Sequence, residues 1–398
     1  MKALAAALAL VGATVYTGEG PPLENATVVI DGGKITSVGP RAKPPAGVPV
    51  VDAKGKVVTP GLIAISTRIG VLDVELEPGS VEATLPEPAD PVRAALRAAD
   101  TYDPRSLTVP IARAAGISSA LVVPDGGQIS GQAAWVDLVE REWLRRASAA
   151  LVVAIGVEGT ATGGPPPAGT RAASFLRLRE TLEDARLYRA NRGPYLTNRL
   201  RALSVSAADL AVLERPLAGE LPLLVEVEAA SDIRTVLDIA RDFGLRVVLV
   251  GAPEAWLVAG ELARAKVPVV LDPSEDLPSS FSALQSRRDT AALLQRAGVR
   301  VILADLSGPH FTHRLRQAAG NAVADGLPYE AALAAITRTP ADVFGMADAG
   351  ALRPGAAANV VLWSGDPLEV TTSAERMWIR GQEVSLETRQ DLLTRRYR

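Results

Sequence analysis

Only two histidines, His310 and His313, occur in the 398 residues, and they stand three apart in Gly308-Pro309-His310-Phe311-Thr312-His313-Arg314. On a helix that spacing puts both imidazoles on one face, where they could share a cation, or leaves them solvated in a first turn. Just upstream, Asp305 closes the apolar run Ile302-Leu303-Ala304-Asp305. A carboxylate beside an imidazole is the arrangement that orients a general base, so Asp305 and His310 are the candidate catalytic pair. A hydrolytic metal centre asks for more: several His, Cys or carboxylate ligands on one cation, bringing the pKa of bound water to about 7. With no cysteine and two histidines, the remaining option is an oxygen-rich site built from Asp305, Glu226, Glu228 and His310. Such a site favours Mg²⁺, Mn²⁺ or Ca²⁺ over Zn²⁺. No GxSxG elbow appears, which leaves a serine hydrolase without support. Gly126-Gly127-Gln128-Ile129-Ser130-Gly131-Gln132 invites a phosphate-loop reading but lacks Gly-Lys-Ser/Thr, and is expected to be a plain Gly-rich turn.

These groups can act together only if the fold converges them. Val57 to Gly70 reads as a short apolar strand entered through Pro60-Gly61 and leaving into small and polar residues. Further strand-like runs fall at 118–123, 150–155, 221–228, 246–250, 267–271 and 299–305, alternating with helical patterns as stacked βα units do. Seven strands are one short of a barrel. The eighth is expected within 156–220, where a charged helix over 175–192 dominates and Gly163-Gly164-Pro165-Pro166-Pro167 marks a surface loop. Both ends of the chain differ from this middle. Thr27-Val28-Val29-Ile30 and Ile35-Thr36-Ser37-Val38 flank Asp31-Gly32-Gly33-Lys34, a strong hairpin cue, and Asn359 to Trp363 and Arg376 to Val384 supply similar segments near the C-terminus.

Composition narrows the function. Hydrophobic residues make up 48%, charged residues 22%, and the net charge is -3, so nothing favours a nucleic-acid partner. No run approaches the roughly 20 apolar residues of a membrane span. Met1-Lys2 followed by Ala3 to Val11 resembles a short signal segment, yet cutting near Ala13 would remove half a strand. The compartment therefore stays open between cytoplasmic and extracytoplasmic.

The frame Pro60-Gly61-Leu62-Ile63 with Gly70 resembles the first barrel strand of the amidohydrolase superfamily, Pro-Gly-Leu-Ile-Asp-x-His-x-His-x-Gly, with Ala64 at the Asp position and Ser66 and Arg68 at the two metal-binding histidines. Ala351-Leu352-Arg353-Pro354-Gly355-Ala356-Ala357-Ala358-Asn359 resembles the family's Gly-Ser-Leu-x-Pro-Gly-x-x-Ala-Asp segment. The helix pair from Asn321 to Ala341 is similar to that of imidazolonepropionase-like members. The resemblance implies a TIM-like (β/α)8 barrel over 57–345, a small β-sandwich from 9–56 and 350–384, and a basic C-terminal tail at 385–398. It also implies that Glu226 stands at one histidine position in Pro222-Leu223-Leu224-Val225-Glu226-Val227-Glu228 and Gly251 at another, while Asp305 alone keeps a family ligand. No lysine lies where a carboxylated bridge between two metals would be, since Lys266 precedes its strand. The middle of the chain resembles, more loosely, a bacterial branch whose members have lost the first-strand His-x-His pair.

The expectation is a degenerate amidohydrolase: a barrel whose mouth, lined by Ser66, Arg68, Glu226, Glu228 and Gly251, binds a small molecule or a partner without a cofactor, with Arg68 paired to Glu226 or Asp305. Two alternatives stay open. One is a divergent hydrolase of C–N bonds using Asp305, Glu226 and His310 with one divalent metal ion or none. The other is a structural subunit of an active amidohydrolase homologue, or a homo-oligomer.

Overall fold

The computed structural model describes residues 7–84, 91–156, 170–275, 277, 278 and 280–398. The Pro-rich loop expected at 163–167 lies outside them. Five strands come first: β1 (Leu8–Val15), β2 (Leu23–Asp31), β3 (Lys34–Gly39), β4 (Val50–Asp52) and β5 (Val57–Pro60). The barrel strands follow as β6 (Leu62–Thr67), β7 (Ile117–Val122), β8 (Ile129–Asp137), β9 (Leu144–Ala154), β10 (Leu223–Val227), β11 (Val247–Gly251), β12 (Val269–Leu271) and β13 (Val301–Leu303). The chain then returns to the first sheet with β14 (Val360–Trp363), β15 (Ala374–Ile379) and β16 (Gln382–Glu383).

The terminal sheet runs β16-β15-β14-β5-β1-β2-β3, with β4 beside β1. The β2–β3 hairpin turns over Gly32-Gly33, as its sequence indicated. Alternate residues separate its faces: Leu10, Val28, Ile30, Val58, Val360 and Trp378 share one core. Val361, Trp363, Met377 and Ile379 join the outer layer of the barrel instead. The candidate signal segment is thus strand from Leu8 onward. The run from Val57 to Thr67 divides at Gly61, with β5 in the terminal sheet and β6 in the barrel. A Cβ at Gly61 would sit 2.4 Å from Ser118 Cβ, so only glycine lets the chain cross there.

The barrel sheet keeps chain order from β6 to β13. Neighbours are parallel except β8, which is antiparallel to both β7 and β9. The eighth strand, expected within 156–220, is instead β8, the segment that begins inside the Gly-rich stretch. Hairpins rather than a helical crossover connect it, so the strand–helix cadence that locates the other strands is interrupted. Inside, Ile63, Ile65, Leu121, Trp135, Val152, Leu224, Val248, Val270 and Ile302 fill the barrel, and Phe344 sits 6.2 Å from the Trp135 ring. The residues between them face the surrounding helices, including Arg171–Ala190, Ala207–Leu217 and Ala230–Phe243. No ladder joins β13 to β6 among the described residues; across that gap the Ile63 N–H donates to Ile336 O at 2.9 Å, and the Thr67 and Thr312 hydroxyls lie 3.1 Å apart. The basic tail forms an exposed helix, Arg389–Tyr397, begun by a Thr388–Asp391 capping box. No described helix is long and apolar enough to cross a membrane.

Candidate functional site

Parallel barrel strands bring their C-terminal ends to one face, and the residues just after them form its mouth. A cavity of about 350 Å³ opens there, lined by Ser66, Arg68, Glu226, Glu228, Gly251 and Asp305. They come from four separate stretches, at the ends of β6, β10, β11 and β13, and the fold gathers them. His310 does not join them. It lies in the 3-10 turn Pro309–Arg314, outside the cavity lining, with its carbonyl 2.8 Å from His313 Nδ1. Asp305 instead accepts the Ser307 N–H at 3.1 Å. The structure thus brings the carboxylates and the arginine together, and leaves both histidines outside.

Arg68 finds partners other than those its neighbourhood in sequence suggests. Its Nη1 donates to Asp125 Oδ2 at 2.9 Å, and its Nη2 lies 3.9 Å from Glu75 Oε1. Neither Glu226 nor Asp305 forms an ion pair with it among the described residues. Asp125 stands directly beyond β7 and Glu75 in the loop beyond β6, while Glu275 and Asp272 stand beyond β12. Asp125, Asp272 and Glu275 were accessible to a rule that takes the first polar residues after each strand. Glu75 was not, because nothing local fixes the path of its loop.

The consequence is an excess of negative charge. Among the described residues, six acidic side chains, Glu75, Asp125, Glu226, Glu228, Glu275 and Asp305, line the cavity beside one cation, Arg68. Lost hydration, then the nearby Asp125, push the Glu226 carboxyl up to about 7 against the pull of Arg68. Glu275, at the rim, is likewise pushed up to about 7, by lost hydration and then by Asp272, Glu228 and Asp305. Asp305, 5% exposed, is raised to about 6 by burial and by Asp272, with the Ser307 N–H opposing. Asp272 is occupied elsewhere: it accepts the N–H groups of Ser274 at 2.8 Å and Leu306 at 2.9 Å, tying the β12 and β13 loops together. Two positions in the cavity wall have left-handed backbone, Ser66 at φ 55° and Gly251 at φ +80°. At Gly251 a side chain would have open space before it but would meet the steric cost of that backbone.

A profile of the amidohydrolase family matches residues 293–385. An amidohydrolase structure from Thermotoga maritima is 25% identical, superposes with a TM-score of 0.84, and is matched over 95% of this chain and 99% of its own. The chain belongs to the amidohydrolase superfamily. Its amidohydrolase relative tasK of Hapsidospora irregularis is 23% identical over 89% of this chain, which spans 39% of that longer protein. A molinate hydrolase structure shares the fold at 17% identity and a TM-score of 0.60, covering 96% of this chain and 95% of that one. A prolidase solved with N-methylphosphonate-L-proline does so at 18% identity and 0.59, covering 95% and 99%.

The resemblance of the first strand implies two metal-binding histidines, and the residues this chain has in that frame do not fit that role. Ser66 and Arg68 occupy those positions, and a guanidinium cannot coordinate a cation because it has no lone pair to offer. Among the described residues, no three His, Cys, Asp or Glu side chains converge as a metal-binding group. The acidic residues of the cavity face one another and Arg68 instead.

Proposed function

We propose that this amidohydrolase-superfamily chain is a small-molecule-binding barrel without the bimetal hydrolytic centre. The observation that supports this reading is the pairing of Arg68, which the first-strand frame aligns with a ligand histidine, to Asp125 at 2.9 Å and Glu75 at 3.9 Å. A permanent cation there opposes a second one by Coulomb repulsion, and it offsets part of the carboxylate charge that would otherwise draw a metal in. The cavity itself is retained, of a size suited to a small ligand.

A second reading keeps hydrolysis. A Glu226 carboxyl near 7 is in the range where one group can both accept and donate a proton, which supports a metal-free acid–base role with Asp305. His310 has no part in that reading, because it lies outside the cavity lining.

Elemental mass spectrometry on protein purified without chelator, run beside an Asp305→Ala variant, tests the proposal. Metal far below one equivalent in both is the expected result. Near-stoichiometric metal that disappears in the variant overturns it.

A further inference from the structure

We propose that the cavity takes an organic cation bearing an apolar substituent, such as an arylalkylammonium; the inference rests on the binding-barrel reading above. Charge supplies the first half of the recognition. Of the six lining carboxylates, Asp125 and Glu75 are engaged by Arg68, Glu228 accepts the Ser280 hydroxyl at 2.6 Å, and Asp305 accepts the Ser307 N–H. Glu275, exposed at the rim, and Glu226 are left over, and the one enclosed in the wall is Glu226. It is enclosed by protein except on its cavity side, and among the described residues nothing donates a hydrogen bond to it. A carboxyl in that position is satisfied by a donor brought from outside. A divalent metal is a poor candidate for that partner, since among the described residues no three ligands converge on a point. An ammonium, which donates hydrogen bonds in several directions and needs no fixed coordination geometry, suits scattered carboxylates.

The rim supplies the second half. Leu76, 94% exposed, directly follows the lining residue Glu75. Leu277, 71% exposed, lies close after Glu275, and Phe281, 93% exposed, follows the Ser280 that holds Glu228. Three large apolar side chains are thus presented to water on the loops that carry the acidic groups. Exposed apolar groups placed around a polar pocket mark a binding surface. An ammonium in the cavity with a hydrocarbon or ring over the rim satisfies both features at once.

Isothermal titration calorimetry on the full chain tests this with three probes: phenethylammonium, ethylammonium and 3-phenylpropionate. Phenethylammonium is expected to bind once per chain, about tenfold more weakly to a Glu226→Gln variant whose circular dichroism matches the wild type. Ethylammonium, and phenethylammonium on Phe281→Ala, are expected to bind more weakly than phenethylammonium on the wild type. Binding of 3-phenylpropionate as tight as that of phenethylammonium overturns the ligand class while leaving the binding barrel intact. So does phenethylammonium binding that is absent or indifferent to Glu226→Gln. Displacement of phenethylammonium by one equivalent of Mn²⁺ or Zn²⁺ overturns the metal-free reading itself, and the inference with it.

Discussion

Replacing Glu226 with glutamine removes one ionisable group from the cavity and keeps its shape. In the folded chain lost hydration, then Asp125, hold this carboxyl at about 7, against an ordinary value of 4.5. A group that binds its proton more tightly in the folded state contributes stability below the unfolded value and loses it as pH rises through the folded one. The window is therefore pH 4.5 to 7, and stability falls with rising pH across it. At about 1.4 kcal/mol per pH unit, the loss attributable to Glu226 is at most about 3 kcal/mol. Urea unfolding followed by tryptophan fluorescence at pH 5 and pH 8 measures it. Wild type and Glu226→Gln are expected to be nearly equally stable at pH 5, where both carry a neutral side chain. At pH 8 the variant is expected to be the more stable by up to about 3 kcal/mol. A shallower slope remains in the variant, because Glu275 is also raised to about 7. A difference between the two proteins that does not change with pH, or a variant less stable at pH 8, refutes the argument that the cavity crowds uncompensated carboxylates.

Two further substitutions probe what holds the site and the fold. Arg68→Met strips Asp125 of its partner at a position where both side chains are about one-fifth exposed, and is expected to cost about 1–3 kcal/mol at pH 7 by urea unfolding; a variant as stable as wild type contradicts the role of Arg68 as the counter-charge. Gly116→Ala puts a Cβ 2.3 Å from Cη2 of the fully buried Trp363 and forces φ +84° on a residue that resists it. Since Trp363 is fixed by its Nε1 donating to Thr59 Oγ1 at 2.8 Å, thermal unfolding is expected to show a loss of about 3 kcal/mol, and a loss under 1 kcal/mol would mean the ring is free to shift.

Much of the framework was legible because it is written in local patterns. Seven barrel strands announce themselves as apolar runs separated by helices, and Asp31-Gly32-Gly33-Lys34 announces its hairpin. Ser66, Arg68, Glu226, Glu228, Gly251 and Asp305 were readable as mouth residues because each stands at or just after a strand end, where the barrel's geometry leaves little choice. Ile129–Asp137 escaped notice because its small and glycine residues imitate a turn and no helix follows it. Once the chain doubles back, β8 is held by cross-strand hydrogen bonds to β7 and β9, which a linear reading does not contain.

By itself the sequence determined the fold class and the limits on chemistry. Residue types cannot be altered by folding, so two histidines, no cysteine and Ser66 and Arg68 in the first-strand frame bound the ligands the chain can offer whatever its shape. Tertiary structure decided the pairings. Whether Arg68 met Glu226, Asp305 or Asp125 depended on which strand end lay beside β6 and where the loop after β6 returned, and these brought Asp125 and Glu75 to it. Whether His310 reached Asp305 depended on the turn at Pro309–Arg314, which carries it out of the cavity lining. Electrostatic interactions fall off over a few ångströms of protein, so the charge balance of a site is set by distances between segments that are remote in sequence.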